Sequence, residues 1–351
     1  MKSSTLGYFA ACASIVLFAA CVLAAPQASG YHLLKKVTFG AAPGTDEYFD
    51  YVNFDPIMRR AYLSHGTEFI VFDADKGTTV GTIPGFKRDH GVALVPELNR
   101  GFITDGTAAQ IVMFDLKTLK VLSQIKGEED ADGIIYDPAS KHVFAFNGNS
   151  KSATVIDPAK GAVISTLPLG GAPEQAVADG KGMIYNNLED TNEVIAIDSH
   201  DLVIKSRWPV APAGGPVSIA MDQAHRRLFI GGRNPKMLVV MNADTGKIIG
   251  PPFPIGDRVD TNVFDPGTGM IAAATKDGRL FIFHEDSPDK ISLVEAVKTE
   301  YGAKTMGLDP KTHNIYLTTS DFGPTPAPTA KQPDPQPVAT PGTFRLLIYG
   351  R

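Results

Sequence analysis

Ile135-Tyr136-Asp137-Pro138 is one of seven copies of a single signal, a mostly apolar pair followed by Asp-Pro or a near variant. The others read Asn53-Phe54-Asp55-Pro56, Ala93-Leu94-Val95-Pro96, Val177-Ala178-Asp179-Gly180, Ala220-Met221-Asp222-Gln223, Val263-Phe264-Asp265-Pro266 and Gly307-Leu308-Asp309-Pro310. Their fourth residues fall at 56, 96, 138, 180, 223, 266 and 310, so successive copies are spaced by 40, 42, 42, 43, 43 and 44 residues. A fixed period in this range marks a repeat architecture, in which each copy is one supersecondary unit.

Within a copy the pattern is that of strands. A short strand follows the Asp-Pro turn, as at Arg60-Ala61-Tyr62-Leu63 or His142-Val143-Phe144-Ala145-Phe146. A Gly, Asn or Asp turn comes next, such as Asp105-Gly106 or Asn147-Gly148-Asn149. An apolar strand ending in Asp follows, as in Ile70-Val71-Phe72-Asp73 or Val155-Ile156-Asp157, and then a more polar outer strand. Four short strands per unit, with no sustained helical period, predict an all-β, single-domain, seven-bladed β-propeller with four-stranded blades over residues 31–351.

The ends of the chain complement each other. The seventh copy supplies an inner strand near Thr305–Leu308, a second at Ile315-Tyr316-Leu317 and a third over Phe344–Tyr349, and then the chain stops. Leu33–Gly40, ahead of the first inner strand, has the outer-strand pattern of Val163–Gly170. Pairing the N-terminal strand into the last blade closes the ring and leaves no open sheet edge.

Lys151-Ser152-Ala153-Thr154-Val155-Ile156-Asp157, followed by Val163–Gly170, resembles the YVTN-type repeat of YncE-like exported propellers. The resemblance extends over essentially the whole chain after its N-terminal segment. It implies the seven-bladed fold and export, and it makes single-stranded nucleic-acid binding a function to weigh. A WD40 reading is disfavoured, because the repeats lack Gly-His and Trp-Asp signatures and Trp208 is the single tryptophan.

Residues 1–24 read as a signal peptide: Lys2 precedes an Ala-rich apolar run, and Val22-Leu23-Ala24 suits cleavage after Ala24. The expected location is periplasmic or secreted. The rivals are an uncleaved membrane anchor and a lipoprotein acylated at Cys21 in Phe18-Ala19-Ala20-Cys21. Both cysteines, Cys12 and Cys21, fall in this segment, so cleavage leaves neither a disulfide nor a thiolate metal site. Loss of Lys2 moves the formal net charge from −5 to −6, which argues against a general phosphate-backbone binder.

Six residues before each repeat's reference position lies the entry to the inner strand. These residues are Asp50, His90, Asp132, Glu174, Val217, Asp260 and Lys304, six of the seven ionisable. Two residues further on stand Val52, Val92, Ile134, Ala176, Ile219, Asn262 and Met306, a mostly core-like set. The alternation places a polar ring at one mouth of the central channel, either as a solvated rim or as a site for a polar ligand or cation. Carboxylates without thiols suit Ca²⁺ or Mg²⁺, while His90 admits Zn²⁺ or Mn²⁺. His90, Asp132 and Glu174 are the expected metal ligands, being neighbours around the ring.

The remaining signals are weaker. Asp73-Ala74-Asp75-Lys76-Gly77 and Asp130-Ala131-Asp132-Gly133 resemble pieces of calcium loops but lack the full ligand set. His65 reads as a turn residue near the same mouth, and Lys87-Arg88 with Arg258 flank the ring. Pro324–Pro341 holds seven prolines in 18 residues, an extended insert expected to leave blade seven on the mouth's face.

No nucleophile elbow, zinc-protease, phosphate-loop or dinucleotide motif occurs. The leading expectation is therefore a non-catalytic binding scaffold for a small ligand, an ion or another exported protein. The alternative is a metal-dependent hydrolase or lyase acting on lactone-like molecules. On that view His90 or Glu174 is the base and Asp132 and Asp260 are ligands. Single-stranded nucleic-acid binding stands third, implied by the YncE-like resemblance and opposed by the acidic net charge and the mostly acidic ring, with Trp208 near Arg207 the one feature in its favour.

Overall fold

The structure, a computed structural model, describes residues 1, 30–44, 47–330 and 334–351. The signal-peptide reading, with Cys12 and Cys21, falls outside the described residues apart from Met1. No helix among the described residues is long and apolar enough to cross a membrane.

Seven four-stranded antiparallel sheets make a β-propeller. Blade one runs Val52–Asp55, Arg60–His65, Glu68–Asp73 and Thr78–Pro84. The inner strands of blades two to six begin at Asp89, Ala131, Pro173, Pro216 and Val259. Blade seven takes Met306–Leu308, Ile315–Thr319 and Arg345–Gly350 from the C-terminus and His32–Thr38 from the N-terminus. The last two strands pair antiparallel, with Thr38 opposite Arg345 and His32 opposite Gly350. The ring is closed by the termini, as the repeat count requires.

The repeated aspartates make the turns. Asp55 Oδ1 accepts the backbone N–H of Ile57 (2.8 Å) and of Met58 (3.0 Å). Asp73, Asp115 and Asp157 do the same for the third-to-fourth-strand turns. An Asp accepting from the backbone two and three residues on is an Asx turn, which holds a tight reversal without help from tertiary packing. The residue before the second strand is left-handed, with φ of 58° at Arg59 and 60° at Lys141, and Gly182 and Gly269 fill that place in two blades.

The core is a ring of seven apolar clusters, each between adjacent blades. Tyr62, Phe69 and Val71 of blade one meet Val112, Phe114 and Leu116 of blade two. The closing cluster joins Tyr316, Leu346 and Ile348 of blade seven to Val52, Leu63 and Phe72 of blade one. His65 belongs to that seam and not to the mouth. Its ring stacks on Phe344 at 4.2 Å between centroids, and its Nε2 lies 2.9 Å from Glu47 Oε1. The seven positions from Val52 to Met306 expected to be core-like are all buried, Asn262 included.

The described part of the Pro-rich insert makes few backbone bonds of its own. Gly323 N–H donates to Val338 O (2.9 Å) and Thr340 N–H to Asp321 O (2.7 Å). The insert leans on blade six on the mouth's face, where Asp334 pairs with Arg258 and Gln336 Oε1 accepts from Lys276 Nζ (3.0 Å).

Candidate functional site at the channel mouth

The inner strands deliver the expected residues to one end of the channel, and there they form a paired network. His90 Nδ1 lies 2.8 Å from Asp50 Oδ2 and 3.0 Å from Asp132 Oδ1. Tyr48, in the segment before blade one, places its hydroxyl 2.8 Å from Asp50 Oδ2 and 3.0 Å from His90 Nδ1. Lys304 Nζ pairs with Asp260 and stands 3.7 Å from Asp50 Oδ1. Asp260 also binds Arg233, whose other amino group reaches Glu189 Oε1 at 3.3 Å. Glu174 completes the circuit in the fields of Asp132, Arg233 and Asp260.

Several members lie outside the aligned ring position. Val217 is buried and carries no charge, and blade five instead supplies Arg233 from the end of its second strand, Arg227–Arg233. Arg88 stacks its guanidinium over Tyr48 at 4.1 Å. Tyr51 reaches across the channel: a Cβ added to Gly133 would stand 3.6 Å from its hydroxyl. Gly106 closes on His90 from behind, where a Cβ would fall 2.8 Å from Nε2. That nitrogen is buried and without a hydrogen-bond partner among the described residues.

Charge and burial set the protonation of the ring. Burial alone would depress His90, but the carboxylates of Asp132 and Asp50 outweigh it and push the imidazole up to about 10. Burial would raise Asp50, but Lys304 and His90 hold it below the usual carboxylate range. Burial and the charge of Asp132 drive Glu174 well above that range. Asp132 itself is raised by burial, with His90 opposing. Burial, then the four carboxylates Asp132, Asp50, Glu174 and Asp260, push the Tyr51 phenol far up. At neutral pH, His90 therefore carries a proton, and Glu174 is shifted toward its protonated form.

Asp50, His90 and Asp132 bring three ligand atoms close enough to share one cation. Glu174 is not in that group; Asp50 takes the place the sequence reading gave it. The spacings of 2.8 and 3.0 Å fit neighbouring ligands of an octahedral ion, which stand roughly 3.0 Å apart for bonds of about 2.1 Å. One nitrogen and two carboxylates suit Mn²⁺ or Zn²⁺. A second trio, Asp222, His225 and Glu285, lies on the Asp-Pro face with His225 half exposed.

The weaker signals resolve into structure. Asp73 serves an Asx turn, and Asp130–Gly133 delivers Asp132 to the ring. Backbone N–H groups of Lys87 and Arg88 donate to Asp105 at 2.9 and 3.0 Å. Trp208 stacks on Tyr185 at 6.2 Å, and Arg207 pairs with Glu193 at 3.4 Å and bonds the Leu169 carbonyl. Both residues are engaged within the fold.

No family model matches the chain, and no curated protein matches it. Solved structures do. A hydrazine synthase chain of Kuenenia stuttgartiensis is 12% identical with a TM-score of 0.69, covering 80% of this chain and 94% of its own. A chain of the mitotic checkpoint complex is 13% identical with a TM-score of 0.72, covering 96% and 98%. The WD40 repeats of RRP9 are 10% identical with a TM-score of 0.72, covering 92% and 98%. At such identities the likeness speaks to the propeller fold alone.

Proposed function

We propose that this chain is an exported, YVTN-type propeller that works by binding, taking a small polar molecule at the mouth of its central channel without turning it over. The observation that carries the reading is the clamp on His90, whose Nδ1 lies 2.8 Å from Asp50 Oδ2 and 3.0 Å from Asp132 Oδ1. His90, one of the two groups the sequence offers as general bases, holds a proton at neutral pH, and burial with the charge of Asp132 shifts the other, Glu174, in the same direction. A base must be free at the working pH, so an imidazolium clamped between Asp50 and Asp132 is suited to donate hydrogen bonds and fix charge. Tyr51 offers a donor toward the channel, while Asp50 and Asp260 offer acceptors held in place by Lys304 and Arg233.

The test combines calorimetric screening of polar metabolites against the purified protein with lactone and ester hydrolysis assays. Saturable binding weakened by Asp132→Asn, without turnover, supports the scaffold. Turnover that disappears in His90→Ala would refute it.

A second reading is a divalent cation at Asp50, His90 and Asp132, favoured by one nitrogen facing three oxygens within 3.0 Å. An ion there would be held by His90 Nδ1 and the two carboxylates, and would supply Lewis acidity for the hydrolase or lyase alternative. Plasma mass spectrometry of the wild type and of the Asp132→Ala/His90→Ala double variant decides it. A stoichiometric ion lost in the variant establishes the metal. Thermal stability unmoved by Ca²⁺, Mg²⁺, Mn²⁺ or Zn²⁺, with no ion bound, removes it.

A further inference from the structure

Between the loops of blade six and the Pro-rich insert lies a cavity of about 420 Å³, its walls including Arg233, Arg258, Lys276, Tyr301 and Gln336. That volume falls within the roughly 300–1,000 Å³ of small-molecule sites. Three acids also line it, and each already has a partner. Asp334 pairs with Arg258, Asp257 with Lys236 (2.9 Å), and Asp277 with Arg279. Arg233 is held by Asp260 and Glu189. Lys276 differs: among the described residues it has no ion-pair partner, and its Nζ donates to the neutral Gln336 Oε1 at 3.0 Å.

Lys276 is also crowded by like charge. Burial first, then Lys304, Arg258 and Arg233, depress its pKa to about 8, with Asp260 opposing. An ammonium kept beside three other cations, with a neutral amide in place of an acid, lacks a counter-charge that an oxyanion would supply. An anionic oxygen in place of the neutral amide oxygen adds the attraction of opposite charges to the hydrogen bond. The edge-to-face pair Tyr301–Phe322, 5.1 Å between centroids, gives the cavity an apolar wall within 6.0 Å of the Lys276 ammonium.

We propose that this cavity binds a small molecule bearing a carboxylate or phosphate group, whose oxygen takes the position of Gln336 Oε1 at Lys276 Nζ. The insert residues Asp334 and Gln336 form the wall that the ligand would rearrange. The site goes beyond the channel-mouth ring and stands even if that ring binds nothing, since Lys276 makes no ion pair with the ring's acids, although Arg233 lines both.

Lysine acetylation with acetic anhydride at pH 8, read by peptide mass spectrometry on the intact protein, tests it. With a pKa of about 8, Lys276 is roughly half unprotonated there, against roughly 0.4% for an ordinary lysine, so it should label ahead of exposed Lys160. Inorganic phosphate and citrate are the probes, with sodium chloride at matched ionic strength as the control. Protection of Lys276 by about tenfold, the unbound fraction left near ten times the Kd, is expected from one or both anions. Phosphate alone would indicate a phosphate ester, and citrate alone a carboxylate. Labelling that neither anion slows, or that sodium chloride slows equally, overturns the site. The anion-dependent rise in thermal midpoint should disappear in Lys276→Gln and persist in Asp132→Asn; persistence in Lys276→Gln also overturns it.

Discussion

His90 Nδ1 sits 2.8 Å from Asp50 Oδ2 and 3.0 Å from Asp132 Oδ1, one proton position facing two carboxylates on neighbouring blades. The three residues come from three consecutive inner-strand entries, so the contact ties blades one, two and three together at the mouth. A buried histidine would ordinarily be neutral; here two acids outweigh desolvation.

The clamp has a pH signature. His90 is raised from its ordinary value to about 10, so the folded state binds the proton more tightly than the unfolded chain. Its contribution is whole below about pH 6.5 and is lost as pH rises toward 10, on the order of 3–5 kcal/mol in all. Urea melts of wild type and His90→Gln should diverge most near pH 6 and converge near pH 10. Parallel pH profiles would show that the imidazole is neutral in the fold.

Asp89, the residue before His90, should act in the same direction over a lower window. Burial pushes its carboxyl up to about 8, against hydrogen bonds from Ser64 Oγ and the His65 N–H. The folded state then holds a proton that the unfolded chain releases near pH 4, so stability falls between about pH 4 and pH 8. Asp89→Asn keeps one acceptor oxygen and cannot ionise. Its thermal midpoint should fall less than that of wild type across this window, measured by calorimetry at several pH values.

The fold was legible because its turns are chemical. Asp55, Asp137 and Asp265 recur at one register since an Asx turn needs that side chain at that place, and the period follows. Asp50, His90, Asp132, Glu174, Asp260 and Lys304 were legible for the same reason, all sharing one repeat position. Arg233 and Tyr48 were not. Arg233 projects from the far end of a second strand into the gap left by Val217, and Tyr48 belongs to the non-repeating stretch before blade one. The uncharged Val217 was the available signal that a charge must come from elsewhere. Lys276 was hidden differently: its environment is made by an insert some 60 residues further along the chain.

Asp260 is the anchor of the cationic side of the ring. It is 7% exposed and holds both Lys304 and Arg233. Asp260→Ala would leave two partly buried cations facing one another, and breaking a buried pair by removing one partner typically costs about 3–5 kcal/mol. Chemical denaturation should show a loss of that order. Lys304→Met added to Asp260→Ala should recover part of it, and a double variant no more stable than the single would mean that the two charges do not interact.

Gly106 offers a test of the ring that touches no charge. A Cβ at this position would stand 2.8 Å from His90 Nε2, closer than packed atoms allow, and a tight 3.3 Å from the Ala131 carbonyl. The imidazole cannot swing away without leaving Asp50 or Asp132, so Gly106→Ala should destabilise the protein by about 1–3 kcal/mol, the usual range for overpacking. Removing the obstructing ring relieves the contact. His90→Ala should therefore suppress the effect of Gly106→Ala, with a coupling of about 1 kcal/mol or more in a double-mutant cycle. Additive losses in the four proteins would instead place the cost in the backbone of the Asp105-Gly106 turn and leave His90 free to move.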